Sequence, residues 1–243
     1  MPPSFSSPDS RDERERWNRR YRKKSLAKMK TGTPGRTVPD PFLELAFSEY
    51  IAPLFPRRGT ALDLAGGAGR HAIWLAKQGW DVTLIDISET GVDEARQNAG
   101  PLASHIRFVV DDLTHFKAAQ TQFGARSEAA SDAASEAMFD VAMTFFYLQR
   151  NIFPEIIKAI RPGGLLLYKT YTSAQAKLAR GPQNPAHLLE PDELLQLAHE
   201  LRVLHYREVV AENATAELVA RKEISGSTTQ GEVATATGSH LDL

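Results

Sequence analysis

Apolar residues recur along this chain in two rhythms. Near-continuous apolar runs of strand length stand at "TALDLA" (60–65), "DVTLIDI" (81–87), "IRFVVDDL" (106–113), "FDVAMTFFYL" (139–148) and "LLLYKTYT" (165–172). Elsewhere the spacing opens to the three-and-four step of a helix buried along one face. "FLELAFSEYIAPLF" places apolar residues at 42, 43, 46, 47, 50, 51 and 54, and "RHAIWLAKQG" (70–79) ends on Gly79. "SETGVDEARQNAG" offers Ser88 as an N-cap, with Glu89 and Asp93 near its first turn. "FPEIIKAIRPGG" (153–164) stops at Pro-Gly-Gly, and "PDELLQLAHEL" (191–201) carries Pro191 in its first turn. Two further strands, 202–212 and 214–223, close the series. Buried strands alternating with helices predict an α/β fold: a Rossmann-like, doubly wound, mostly parallel seven-stranded sheet with helices on both faces.

The pattern fades at three places. Residues 1–15 and 223–243 are polar and rich in small residues, which predicts disordered tails around one domain spanning 16–222. "KAAQTQFGARSEAASDAASEAM" (117–138) is Ala/Ser-rich without apolar periodicity and reads as a surface insertion. "TGTPGRTVPDP" (31–41) is a loop, and residues 12–30 before it fit a basic helix carrying Trp17, Tyr21, Leu26 and Met29.

Charge and composition narrow the function. The net charge is −1, so nothing draws the whole chain to polyanions, although residues 1–40 hold 11 Lys/Arg against 5 Asp/Glu. The absence of cysteine excludes disulfides, thiolate zinc sites and cysteine nucleophiles, and the histidines show no metal-ligand spacing. No apolar run approaches the ~18 residues that span a bilayer, and the N-terminus lacks the apolar core of a signal peptide. The expectation is a cytoplasmic protein that is monomeric or dimeric, with no metal and no membrane partner.

The chemistry concentrates in "ALDLAGGAGRHAIWLA" (61–76), a glycine-rich turn between a strand and a helix. Gly67 and Gly69 let backbone amides approach a ligand, and the helix start favours a negative group. Asp86 ends the next strand, 19 residues beyond Gly67, where a carboxylate can accept two ribose hydroxyls. "GAGRHA" fits the dinucleotide pattern G-x-G-x-x-G/A. S-adenosylmethionine is the alternative, and three features favour it. Asp63 repels a diphosphate but attracts an ammonium. Asp111-Asp112 ends the third strand, where a carboxylate can meet an adenine amino group. "RPGGLLLY" supplies a turn before the fifth strand.

With these motifs the chain resembles the class I S-adenosylmethionine-dependent methyltransferases, and more narrowly the tellurite-resistance and thiopurine-type group, over roughly residues 15–222. The family's first motif corresponds to Asp63-Leu64-Ala65-Gly66-Gly67-Ala68-Gly69, with Arg70 following, and Ala65 in place of its first glycine implies a negative φ there. The resemblance implies that Asp86 holds ribose with Ile87 beside adenine, that Asp112 rather than Asp111 meets the adenine edge with Leu113 next to it, and that Pro162-Gly163-Gly164 forms the later turn. It also implies that Trp17-Asn18-Arg19-Arg20-Tyr21 closes over the cofactor, within a lid of residues 16–30, through Trp17, Arg20 and Tyr21.

The activity so implied is methyl transfer to a small-molecule acceptor, a thiol or chalcogen oxyanion. The acceptor side would be lined by Tyr147, Arg150, Tyr171 and His187. Each has a plainer reading: Arg150 as a solvated arginine at a helix start, the tyrosines as core or cofactor-wall aromatics, and His187 as a structural hydrogen-bonding group. No Asn/Asp-Pro-Pro-aromatic segment follows the fourth strand, which disfavours methylation of exocyclic nitrogens on nucleic-acid bases. An RNA or protein methyltransferase using the basic N-terminal arm, and a cofactor-binding module without catalysis, are the competing readings.

Overall fold

A computed structural model describes residues 10–31, 38–118 and 139–224, with the side chains of 28–31 excepted. The predicted insertion falls, apart from residues 117 and 118, outside the described residues, as does the C-terminal tail from 225.

The strands are β1 (Thr60–Leu64), β2 (Asp81–Asp86), β3 (Ile106–Val110), β4 (Phe139–Phe145), β5 (Ile160–Tyr171), β6 (Arg202–Val210) and β7 (Ala214–Arg221). They form one seven-stranded sheet in the order β3-β2-β1-β4-β5-β7-β6. The first five strands run parallel, and β7 lies antiparallel to both β5 and β6. The winding reverses between β1 and β4, and in such sheets ligands sit off the carboxyl ends of the strands at that point.

Alternate side chains enter opposite faces of the sheet, as a period of two requires. Leu62, Ala142, Leu166 and Tyr168 pack one way, against α6 (Phe153–Ala159) and α7 (Glu193–Leu197). Ala61, Val141, Met143, Leu165 and Leu167 pack the other way, against α2 (Pro41–Ala46) and α4 (Arg70–Lys77). The helix α5 (Glu89–Ala99) starts where expected, with Ser88 Oγ accepting from the Gly91 N–H at 3.1 Å.

Several local expectations give way. The helix α1 begins at Ser10, within the stretch predicted as a tail, and runs to Thr31. Asp12 and Glu13 in its first turn oppose the positive end of the helix dipole. The apolar stretch 42–55 is not one regular helix: a π turn at Phe47–Ile51 joins α2 to the short α3 (Ala52–Leu54). α6 ends at Ala159, and Pro162-Gly163-Gly164 is not a turn before a strand but an irregularity within β5. There Gly163, at φ 82°, donates to the Lys222 carbonyl at 2.8 Å. α7 starts after Asp192, at φ 58°, so Pro191 lies outside it.

Candidate functional site

The carboxyl ends of β1 and β2 bring together the two buried acids of the glycine loop. Asp86 accepts from the Gly67 N–H through Oδ2 and from the Ser88 N–H through Oδ1, both at 2.8 Å. The carboxylate therefore fixes the loop as well as presenting itself to a ligand. Burial raises its pKa above the ordinary carboxyl value, against those two bonds.

Asp63 is 1% exposed and receives a hydrogen bond from the backbone of Ala72, while its Oδ2 has no hydrogen-bond partner. Burial, followed by the charge of Asp86, pushes its pKa up to about 8. Gly66 covers it: a Cβ there would lie 2.8 Å from Asp63 Oδ2 and 2.7 Å from Leu84 Cγ. An orphaned buried carboxyl oxygen beside a glycine loop is a place for a cationic donor.

Ala65 overturns one expectation. Its φ is +56°, the region that glycine favours, so alanine bears the strain directly. The loop geometry demands the left-handed conformation whatever residue stands there.

The helix α1 lies across this edge. Asn18 Oδ1 accepts from Ser88 Oγ at 2.7 Å and from the Thr90 N–H at 3.3 Å. Ser25 Oγ donates to Glu94 Oε2 at 3.0 Å. Tyr21 sits directly over the loop, since a Cβ on Gly67 would collide with its hydroxyl and one on Gly91 would reach its ring at 3.0 Å. Burial and the nearby Asp86 raise its phenol pKa well above the ordinary value. Trp17 is half-buried, its ring 6.3 Å from that of Tyr21 and 4.9 Å from the Arg20 guanidinium.

At the end of β3, Asp112 accepts from the Thr114 N–H at 2.9 Å and takes a further bond from the Ser10 hydroxyl. Burial raises its pKa, but these bonds hold it below the ordinary value. Asp111 is exposed and accepts from the Asp112 N–H at 2.8 Å. Ile87 is half-buried and Leu113 buried.

The four candidates for the acceptor side do not form one group. Tyr147 packs against the core cluster on the α6 and α7 side of the sheet, and burial followed by the charges of Glu13, Asp112 and Asp86 raises its phenol pKa. His187 is half-buried, its pKa lowered by burial and by Arg16, opposed by Glu13. Arg150 is partly exposed and its guanidinium is engaged. It grips Glu193 (Nε–Oε1 2.5 Å, Nη2–Oε2 2.9 Å) and the carbonyls of Ala186 (3.0 Å) and Leu188 (2.8 Å).

Tyr171 lies near residues that, Arg70 apart, sequence reasoning did not single out. Its ring lies 5.2 Å from that of Phe146, which has φ +60°. Arg70 Cζ and Lys169 Nζ stand 5.6 and 5.8 Å from the Phe146 ring. Lys169 pairs with Asp40 at 2.7 Å and Glu217 at 2.9 Å, and Glu217 also holds Arg207 at 2.6 Å. His71 stacks on Phe145 at 4.0 Å with Nε2 unpartnered, and burial drives its pKa down so that it stays neutral. The one available signal was position: Phe146 and Lys169 fall at the ends of predicted strands, and His71 at a helix start.

Comparison with known proteins agrees with this geometry. Residues 61–164 match a family model described as a methyltransferase domain. A putative methyltransferase of Bacillus subtilis (strain 168), YqeM, is 29% identical over 132 residues, 52% of this chain and 48% of that protein. The tRNA 5-carboxymethoxyuridine methyltransferase of Escherichia coli (strain K12) is 26% identical over 123 residues, 51% of this chain and 44% of that protein. The chain thus spans about half the length of these curated relatives.

Among solved structures, TehB from Haemophilus influenzae superposes with a TM-score of 0.56 at 17% identity, over 78% of this chain and 64% of that one. The magnesium protoporphyrin IX methyltransferase of Synechocystis PCC 6803, solved with bound SAH, gives 0.61 at 13% identity over 89% and 100%. These likenesses show the fold. Residues 61–164 thus match a methyltransferase domain, and they lie within a sheet wound as a Rossmann-like fold. No helix among the described residues is long and apolar enough to cross a membrane.

Proposed function

We propose that this chain transfers the methyl group of S-adenosylmethionine to a small-molecule acceptor held off the carboxyl ends of β4 and β5, beneath α1. The observation that carries this reading is the orphaned Oδ2 of Asp63, a buried acceptor waiting for a cation, which the ammonium of the methionine group satisfies. Asp86 has lone pairs left for ribose hydroxyls, and Asp112 is available at the adenine edge. When bound, the cofactor supplies a methyl group already activated on a sulfonium. The chain's own residues then hold donor and acceptor in line and keep water away. α1, through Trp17, Arg20 and Tyr21, is the lid.

A second reading has one observation behind it. Arg14, Arg19, Arg22 and Lys23 line the exposed side of α1, and the Escherichia coli relative named above acts on tRNA. An RNA acceptor would bind through such a face, with an affinity that falls steeply with salt.

Calorimetry tests both the cofactor and the class. S-adenosylmethionine is expected to bind with micromolar affinity and NAD much more weakly. Asp86→Asn is expected to weaken binding while circular dichroism confirms the fold. A preference for NAD, or no binding of S-adenosylmethionine, overturns the reading. Cofactor binding without turnover on any thiol, oxyanion or RNA acceptor reduces the chain to a binding module.

A further inference from the structure

Two buried polar groups beneath the start of α4 lack partners in this fold, and they are neighbours. Asp63 of β1 lies beside Met143 of β4 in the parallel register, on the sheet face that carries Ala61 and Val141. Phe145 shares that face two residues on, about 7 Å farther along β4. His71, the second residue of α4, lays its ring on Phe145 with the centroids 4.0 Å apart. The next residue of α4, Ala72, gives its backbone hydrogen bond to Asp63. Asp63 and His71 thus meet the same stretch of β4 from two sides. Asp63 is 1% and His71 4% exposed, and neither Asp63 Oδ2 nor His71 Nε2 has a hydrogen-bond partner, so they do not bond to each other.

A buried polar atom without a partner destabilises the fold that holds it. Stacking on Phe145 does not account for His71, because a phenylalanine would stack there without an unpaired nitrogen. Burial keeps the imidazole neutral, and the positive charges of Arg70 and Lys169 act in the same direction. A neutral imidazole has one N–H and one lone pair. Positive surroundings disfavour a cationic partner and favour an oxygen that carries negative charge. Lys169, paired with Phe145 in the β4–β5 register, is already engaged by Asp40 at 2.7 Å and Glu217 at 2.9 Å.

The two orphans are therefore complementary: an acceptor suited to a cation and a donor suited to an anion, on consecutive elements flanking the glycine loop. A molecule that bears an ammonium and a carboxylate on one carbon satisfies both. We infer that His71 is a binding residue for the cofactor, its Nε2–H donating to the carboxylate of the methionine end while Asp63 receives the ammonium. No covalent bond changes and His71 keeps its proton. The inference rests on the methyltransferase reading and deepens it, naming the residue that reads the other half of the amino-acid head group.

The test compares two ligands by calorimetry at pH 7 on the full chain: S-adenosylhomocysteine, and S-adenosyl-3-thiopropylamine, which is the same molecule without its carboxylate. The unsubstituted protein is expected to prefer S-adenosylhomocysteine about tenfold. His71→Phe should weaken S-adenosylhomocysteine about tenfold, leave the amine unchanged and so erase the preference, without lowering the melting temperature. Equal binding of the two ligands by the unsubstituted protein, a preference that survives in His71→Phe, or an equal loss for both ligands overturns the inference; the last result is that of a packing residue. A spectrum of the unsubstituted chain with 15N-labelled histidine reads the same contact without a variant. The His71 Nε2 resonance should move with S-adenosylhomocysteine and stay in place with the amine, and an equal response to both overturns the inference. Asp63→Asn should weaken both ligands, which tests the parent reading separately. Failure of S-adenosylhomocysteine itself to bind defeats both.

Discussion

If Asp63 pairs with the cofactor's ammonium, as proposed above, cofactor binding is proton-linked. Its carboxyl titrates at about 8 in the ligand-free fold, so near neutral pH it is mostly protonated. An α-ammonium group, with a pKa of about 7.7–8.0, remains charged over the same range. Pairing the two requires Asp63 to ionise, so binding between pH 6 and 7 releases close to one proton. The dissociation constant should then fall about tenfold per pH unit, equivalent to ~1.4 kcal/mol, until the ammonium begins to deprotonate. Stability of the ligand-free protein moves the opposite way. The folded pKa lies above the unfolded one, so the contribution is fully present below about pH 4 and is lost as pH rises toward 8. Calorimetry of S-adenosylmethionine binding in two buffers of different ionisation enthalpy reads the proton directly. Asp63→Asn mimics the protonated acid: it should match the wild type near pH 6 and fall behind by about tenfold at pH 7, with no proton released. A wild-type affinity that is flat from pH 6 to 7.5, without proton exchange, refutes the pairing of Asp63 with the ammonium.

Other perturbations have readable outcomes. Arg150→Ala should lower stability by about 1–2 kcal/mol, discounted for partial exposure, because the Ala186 and Leu188 carbonyls and Glu193 lose their donors; urea unfolding measures it, and cofactor affinity should be unchanged. Ala65→Gly should raise the melting temperature slightly, since relief of ~1–2 kcal/mol of left-handed strain outweighs most of the entropy that glycine adds to the unfolded chain. Asn18→Ala removes two bonds that dock α1 and should speed tryptic cleavage within Arg19–Lys24, with S-adenosylmethionine restoring protection. Lys169→Met should cost about 3 kcal/mol by chemical unfolding, because buried Asp40 loses its cation and Glu217 keeps only Arg207.

The sheet was legible because its central strands β1, β2, β4 and β5 are buried on both faces and leave near-continuous apolar runs, and because Asp63 stands near the end of one before a glycine-rich turn and Asp86 ends the next. The failures share a cause: they occur where tertiary demands override local preference. An alanine at 65 does not by itself announce φ +56°, although the glycine it replaces in the family's motif would have; the loop keeps the left-handed conformation and alanine tolerates it. Pro162-Gly163-Gly164 carries the composition of a turn, yet pairing with Lys222 draws it into β5. Arg150 looked like a surface charge because its partner, Glu193, is 43 residues distant.

The acceptor side was the least legible part for a related reason. Phe146, Lys169 and Tyr171 stand at the ends of β4 and β5, and none of the three bears a motif. On the proposed reading, donor recognition reads from sequence because one contiguous loop and one strand end would perform it. Acceptor recognition would instead draw single residues from the ends of separate strands. A relative with the same glycine loop can therefore change its acceptor by changing side chains at strand ends, without altering anything that identifies its cofactor. On that argument the positions to vary in converting this chain to another acceptor are 146 and 171, and the positions to leave alone are 63, 66, 67 and 86.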